Sequence, residues 1–200
     1  AHLVLLREIG DWSAFYLLGL PSLGQGVDGM AQGLRRLLAE LGATRVFCIG
    51  NSVGGHGALR YGLELEAEAV LAFGAITDLG ASVQGQDRIA EIQASQPRLA
   101  TDLRPLYAAA ARRPRVTLCY GERQIADRAA AERMRDIPGI TLLPAEGVAR
   151  HDVIRWAMAE GRFLPMVERQ GRDARLQRAQ QRDQRGGAVR EDKADRACGV

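Results

Sequence analysis

Compact apolar runs alternate with stretches of helical spacing along most of the chain. Leu3 to Arg7 reads as a buried strand and Ala14 to Leu20 as a second, separated by the loop Glu8-Ile9-Gly10-Asp11. Pro21, Gly24 and Gly26 mark a turn, after which Val27, Met30, Leu34, Leu37, Leu38 and Leu41 recur with helical period up to Gly42. Thr44 to Ile49 predicts a third strand, and a helix begins near Gly55 and continues over Ala58 to Leu65. Further strands are expected at Ala69 to Phe73, Arg115 to Tyr120 and Ile140 to Leu143, with helices over 101–111, 128–135 and 152–160. Six buried strands alternating with helices predict an α/β fold: a mostly parallel sheet with helices on both faces.

Residues 75–100 carry the weakest pattern, with Gly80, Gly85 and Pro97 around one short amphipathic piece, Arg88 to Ile92. A small lid or pocket wall is expected there. From Arg169 the chain turns to Arg, Gln, Asp and Gly with hardly any large apolar residue, too little to offset the entropy of ordering it. The expected organisation is one domain over 1–168 and a charged, disordered or solvated tail over 169–200.

Charge is uneven in the same way. The tail holds 9 Lys and Arg against 5 Asp and Glu, which leaves 18 against 19 in residues 1–168, out of 27 and 24 in all. The sequence pI near 9.0 therefore belongs to the tail, and no nucleic-acid partner is expected. Cys48 and Cys119 fall in strands with another strand between them, roughly 9.6 Å apart and too far for a disulfide. Neither has metal-ligand spacing, and no metal is expected. Reduced thiols, no signal-peptide pattern and no apolar run of membrane-spanning length point to a cytoplasmic protein. Because the chain opens at Ala1 directly into a strand, a segment upstream of it is a further expectation.

The chemistry gathers on one turn. In Gly50-Asn51-Ser52-Val53-Gly54, a strand reverses into a helix through glycines two before and two after a serine. Lack of bulk at both places lets the backbone pass close to itself, so that Ser52 stands at the apex over the helix's N-terminal amides. With 23 glycines and 5 serines in the chain, about 0.06 such patterns arise by chance. Ser22 lacks the leading glycine and Ser82 the trailing one.

A serine hydroxyl needs a base in reach and a third group to orient that base. Of the histidines, His2 precedes the first strand and His56 lies on the helix after the turn, where packing or surface is the expected role. His151 follows the last strand, on the carboxyl edge that also carries Ser52, and is the candidate base. Asp127, in the loop before a helix, is the first candidate acid, and a helix N-cap is its alternative role. Glu122, nearer the strand end, and Asp78, after the preceding strand, are alternative acids. Asp152 is expected to cap the last helix.

The order Ser52, Asp127, His151, with the serine on a G-x-S-x-G turn, resembles the α/β-hydrolase superfamily of serine esterases, lipases and related acyl hydrolases. The resemblance covers residues 3 to about 165. It implies that Ser52 attacks a carbonyl carbon, His151 moves the proton and Asp127 holds the imidazole. It also implies an oxyanion hole from the Val53 amide and a second amide within Glu8 to Gly10, Ile9 and Gly10 being the candidates. The family's His-Gly-Gly signature is absent from that loop, and the sheet lacks the family's first two strands. The function expected is a serine hydrolase cleaving an ester, thioester or related acyl bond through an acyl-enzyme on Ser52, with a small-molecule acyl substrate and no cofactor.

An acyltransferase of the same fold differs only in the acceptor, and a non-catalytic hydrolase-fold binding module of a larger protein would retain the turn as scaffold. Dinucleotide binding is disfavoured because no G-x-G-x-x-G follows a strand. Pocket walls are expected from 9–13, 21–26 and 75–100, with Trp12, Phe15 and Tyr16 as apolar linings, and core packing is the expected role of Phe15.

Overall fold

The computed structural model describes residues 2–7, 12–81, 85–97 and 99–171. Its centre is a parallel sheet of four strands in the order β3-β4-β5-β6. These are β3 (Phe47–Asn51), β4 (Ala69–Phe73), β5 (Arg115–Gly121) and β6 (Ile140–Ala145). β4 is buried at every position because it lies inside the sheet with both faces covered. β6 carries Pro144, which an edge strand tolerates because one side of its backbone has no neighbour to bond.

The helices are α1 (Gly26–Glu40), α2 (Val53–Glu64), α3 (Gln86–Ser95), α4 (Leu103–Ala109), α5 (Ile125–Glu132) and α6 (Val153–Ala159). One further helix, α7, spans 163–171. One core cluster joins Leu59 of α2, Val70 and Ala72 of β4, Tyr107 of α4, Val116 and Leu118 of β5, and Met134. On the other face, Leu71, Phe73 and Cys119 pack with Val153 and Ala157 of α6, joined by Phe163, Met166 and Val167 of α7. A third cluster holds Phe15 and Leu17 against Val27 and Met30 of α1 and Ile89 and Ile92 of α3.

Two of the six expected strands do not form in the sheet. Leu3 to Arg7 has no regular structure, and Leu3 and Leu5 are 95% and 86% exposed, so the apolar run has no sheet neighbour among the described residues. Ala14 to Leu20 is a 3₁₀ turn (Trp12–Ala14), then turns, then two strand residues. Those two, β1 (Gly19–Leu20), make a small antiparallel ribbon with β2 (Gly24–Gln25). The reason is backbone geometry: Phe15 and Tyr16 have φ of 50° and 61°, left-handed values that no extended strand permits. Phe15 and the nearby Leu17 are buried all the same, both at 0% exposure.

α7 is not predicted by the pattern. It runs across the boundary expected at residue 168 and is tied to the sheet: Gln170 Nε2 donates to Thr117 Oγ1 at 2.9 Å and Arg115 donates to the Gln170 carbonyl at 2.9 Å. The remainder of the expected tail, residues 172–200, lies outside the described residues. Cys48 and Cys119 are both free, with β4 between their strands. No helix among the described residues is long and apolar enough to cross a membrane.

Candidate functional site

β3 ends at Asn51 and α2 starts at Val53, leaving Ser52 alone to make the reversal. Its φ of 54° and ψ of −119° lie in a strained region for a residue with a side chain. The strain is held by the surroundings: the Ser52 amide donates to the Phe73 carbonyl at 2.8 Å, and the Gly55 and His56 amides donate to the Ser52 carbonyl.

The two glycines of the motif are not equivalent. A Cβ on Gly50 would stand 1.9 Å from the Gly54 carbonyl oxygen, whereas a Cβ on Gly54 would meet nothing within 4 Å. The expectation that both positions must lack bulk therefore holds for Gly50 alone. A second close approach lies one residue on, where a Cβ on Gly55 would come within 2.8 Å of the Ala75 Cβ.

Ser52, His151 and Asp127 are brought together. Ser52 Oγ lies 2.7 Å from His151 Nε2. His151 Nδ1 lies 2.8 and 3.0 Å from the two Asp127 carboxylate oxygens. A carboxylate only accepts, so the imidazole proton sits on Nδ1 and donates to Asp127, leaving Nε2 to accept from the Ser52 hydroxyl. Asp127 raises the His151 pKa above its ordinary value through this hydrogen bond, against the opposing effect of partial burial, and the Asp152 charge adds in the same direction. The Asp127 side chain is only 7% exposed, the His151 ring 42%.

Asp127 is not an N-cap. Gln124 caps α5, its side chain accepting from the Asp127 amide at 3.0 Å, which leaves the Asp127 carboxylate in the first helical turn free to meet His151. Glu122 and Asp78 are engaged elsewhere. Glu122 accepts from the Gly147 amide at 2.8 Å, and Asp78 accepts from the Gly80 amide at 2.9 Å and pairs with Arg133 at 3.1 Å. Asp152 occupies the N-cap position of α6 without a capping bond from its side chain, which pairs with Arg155 at 2.9 Å.

Val53 is the first residue of α2, where helix geometry leaves the amide without an intrahelical acceptor. Ile9 and Gly10 lie outside the described residues. Phe15 is core, edge-on to His56 at 6.0 Å between centroids. Tyr16 packs against Gly57, its hydroxyl donates to the Leu6 carbonyl at 3.3 Å, and its own carbonyl accepts from Tyr61 at 2.7 Å.

One residue at the site escapes sequence reasoning, and another, His56, takes the packing role expected of it. Gly74 (φ 50°) follows the wholly apolar β4, and a Cβ there would come within 2.9 Å of the His151 carbonyl and 3.2 Å of an Asp127 oxygen. Its only sequence signal is a glycine directly after a buried strand. His56 is fully buried, with Nδ1 donating to the Ile76 carbonyl at 2.9 Å, and burial pushes its pKa down to about 4.

Among the described residues no group of three or more His, Cys, Asp or Glu has the arrangement to hold a metal ion. A surface depression lined by Glu122, Arg123, Ile125, Arg128, Ala129 and Glu132 includes none of Ser52, His151 or Asp127.

No protein-family model matches the chain, and no curated protein matches it. Among solved structures it is similar to MGS-MChE2, an α/β hydrolase enzyme from the metagenome of sediments from the lagoon of Mar Chica, Morocco. The two share 14% sequence identity with a TM-score of 0.49, over 76% of this chain and 75% of that one.

Proposed function

We propose that this chain is a serine hydrolase that cleaves an ester, thioester or related acyl bond through a covalent intermediate on Ser52. The observation that carries the reading is the continuous hydrogen-bonded line from Ser52 Oγ through His151 to Asp127, starting at a strained strand-to-helix turn.

In this reading the Ser52 oxygen attacks the substrate's carbonyl carbon as its proton passes to His151 Nε2. Asp127 stays ionised and stabilises the imidazolium. The oxyanion that forms meets the Val53 amide at the N-terminus of α2, where the helix dipole favours negative charge. Collapse breaks the bond to the leaving group, which takes the proton from Nε2. Water then gives a proton to Nε2 and attacks the acyl carbon, releasing the acid and restoring the Ser52 hydroxyl. The exposed side of the His151 ring supports access for that water.

A pre-steady-state burst with a p-nitrophenyl acyl ester tests the reading. One equivalent of nitrophenolate per chain, absent from Ser52→Ala, is the expected result. A slow release without a burst that is unaltered in Ser52→Ala contradicts it.

A further inference from the structure

The four residues after β4, Gly74-Ala75-Ile76-Thr77, touch His151, Asp127 and the helices α2 and α5 in turn. Gly74 lies against His151 and Asp127, and Ala75 against Gly55 of α2. The Ile76 carbonyl accepts from His56 Nδ1 at 2.9 Å. The Thr77 hydroxyl, on a residue at 0% exposure, donates to the Ala130 carbonyl of α5 at 2.8 Å.

Both bonds are specific. Just past the end of α5 the Arg133 and Met134 amides go to the carbonyls of Ala129 and Ala131, and the Ala130 carbonyl takes the Thr77 hydroxyl. Among the described residues the buried His56 Nε2 has no hydrogen-bond partner, and Nδ1 carries the ring's one bond. Burial keeps the ring neutral at ordinary pH, with its single proton on the nitrogen that donates. The helix that follows Ser52 and the helix that carries Asp127 are thus fastened to adjacent residues of one short segment.

We infer that Gly74–Thr77 is a positioning strap, in which His56 and Thr77 set the separation between Ser52 and Asp127 that His151 spans. This rests on the hydrolase reading for its consequence, since misplacement by about 1 Å costs an acyl transfer on the order of a hundredfold. Neither residue touches the reacting atoms. Both act through the position of α2 and α5.

The test compares Thr77→Val, which keeps the shape and removes the donor, with Thr77→Ser, which keeps the donor. His56→Phe reads the other end of the strap and takes the place of Thr77→Val where that variant does not fold. Ile137→Val, in the first core cluster but in neither of the strap's two hydrogen bonds, controls for loss of stability alone. Two quantities are read: the titration midpoint of the His151 imidazole by NMR, tractable with only 3 histidines in the chain, and kcat/KM on a p-nitrophenyl ester.

Thr77→Val and His56→Phe are expected to move the His151 midpoint down toward its ordinary value near 6.5, as Asp127 draws away from Nδ1. They are expected to lower kcat/KM by about tenfold or more. Thr77→Ser restores both, and Ile137→Val moves neither. An unchanged midpoint in Thr77→Val and His56→Phe, or an equal shift in Ile137→Val, overturns the strap. If the wild type hydrolyses no ester, the hydrolase reading fails by itself, and the NMR midpoints still decide whether the strap sets the Asp127–His151 contact.

Discussion

His151 Nδ1 lies 2.8 Å from a carboxylate oxygen of Asp127, a residue all but sealed from solvent. A neutral imidazole donating to a buried carboxylate is held in one tautomer and one orientation, with its other nitrogen turned to the Ser52 hydroxyl at 2.7 Å. The pair also sets a pH dependence.

Asp127 raises the His151 pKa, and only the neutral ring can accept the Ser52 proton. Activity is therefore expected to fall as pH drops through a midpoint above the ordinary histidine value of about 6.5. In Asp127→Asn the hydrogen-bond cause of the shift is lost, so that midpoint moves down. The rate falls as well, by on the order of 10³- to 10⁴-fold, because the amide favours the wrong tautomer. A kcat/KM profile from pH 5 to 9 on both proteins checks this, and an acid limb that does not move between them contradicts it.

Gly50→Ala and Gly54→Ala are expected to differ sharply although the G-x-S-x-G pattern treats them alike. The new methyl at residue 50 would stand 1.9 Å from a backbone oxygen, while at residue 54 it meets nothing within 4 Å. Gly50→Ala should deform the turn and abolish Ser52 reactivity. Gly54→Ala, inside a helix, should retain activity and gain roughly 0.4–1 kcal/mol of stability from the reduced freedom of the unfolded chain. Thermal melts and ester turnover of the two variants give the comparison.

His56 makes the fold sensitive to acid in a definite window. Its pKa is pushed down to about 4 in the folded chain against an ordinary value of about 6.5 when unfolded. Between those values the unfolded chain binds a proton that the folded chain refuses, so stability falls as pH drops from about 6.5 to about 4. The loss approaches ~3 kcal/mol at the lower end. Urea midpoints measured at pH 7 and pH 4.5 should converge for His56→Phe relative to wild type. Equal slopes for the two proteins would remove His56 as the cause.

Much of this arrangement is legible in the sequence, for reasons that differ by element. The strands at 69–73 and 115–121 show as apolar runs because a parallel sheet covered on both faces buries consecutive residues, and the half-exposed edge strand at 140–145 shows by its β-branched and apolar residues. The contact of Ser52 with His151 follows from the rule that parallel strands bring the loops at their carboxyl ends together. Asp127 is harder. Its position before an apolar helix suits a cap, and only the Gln124 side chain, which takes the capping bond, separates the roles.

The strand expected over Ala14 to Leu20 is not legible because hydrophobicity reports burial and not φ: Phe15 is buried at a left-handed angle. α7 escapes because its apolar face is short, Phe163, Met166 and Val167, and it runs into a polar composition at Arg169. The strap escapes for a further reason, since Thr77 and Ala130 meet across 53 residues without any local pattern.

The most direct measurement is labelling with a fluorophosphonate probe, followed by mass mapping of the adduct in wild type, Ser52→Ala, His151→Ala and Asp127→Ala. One adduct per chain is expected on Ser52, none in Ser52→Ala, and strongly slowed labelling without His151 or Asp127. A folded wild type that stays unlabelled, or an adduct that persists in Ser52→Ala, contradicts this expectation.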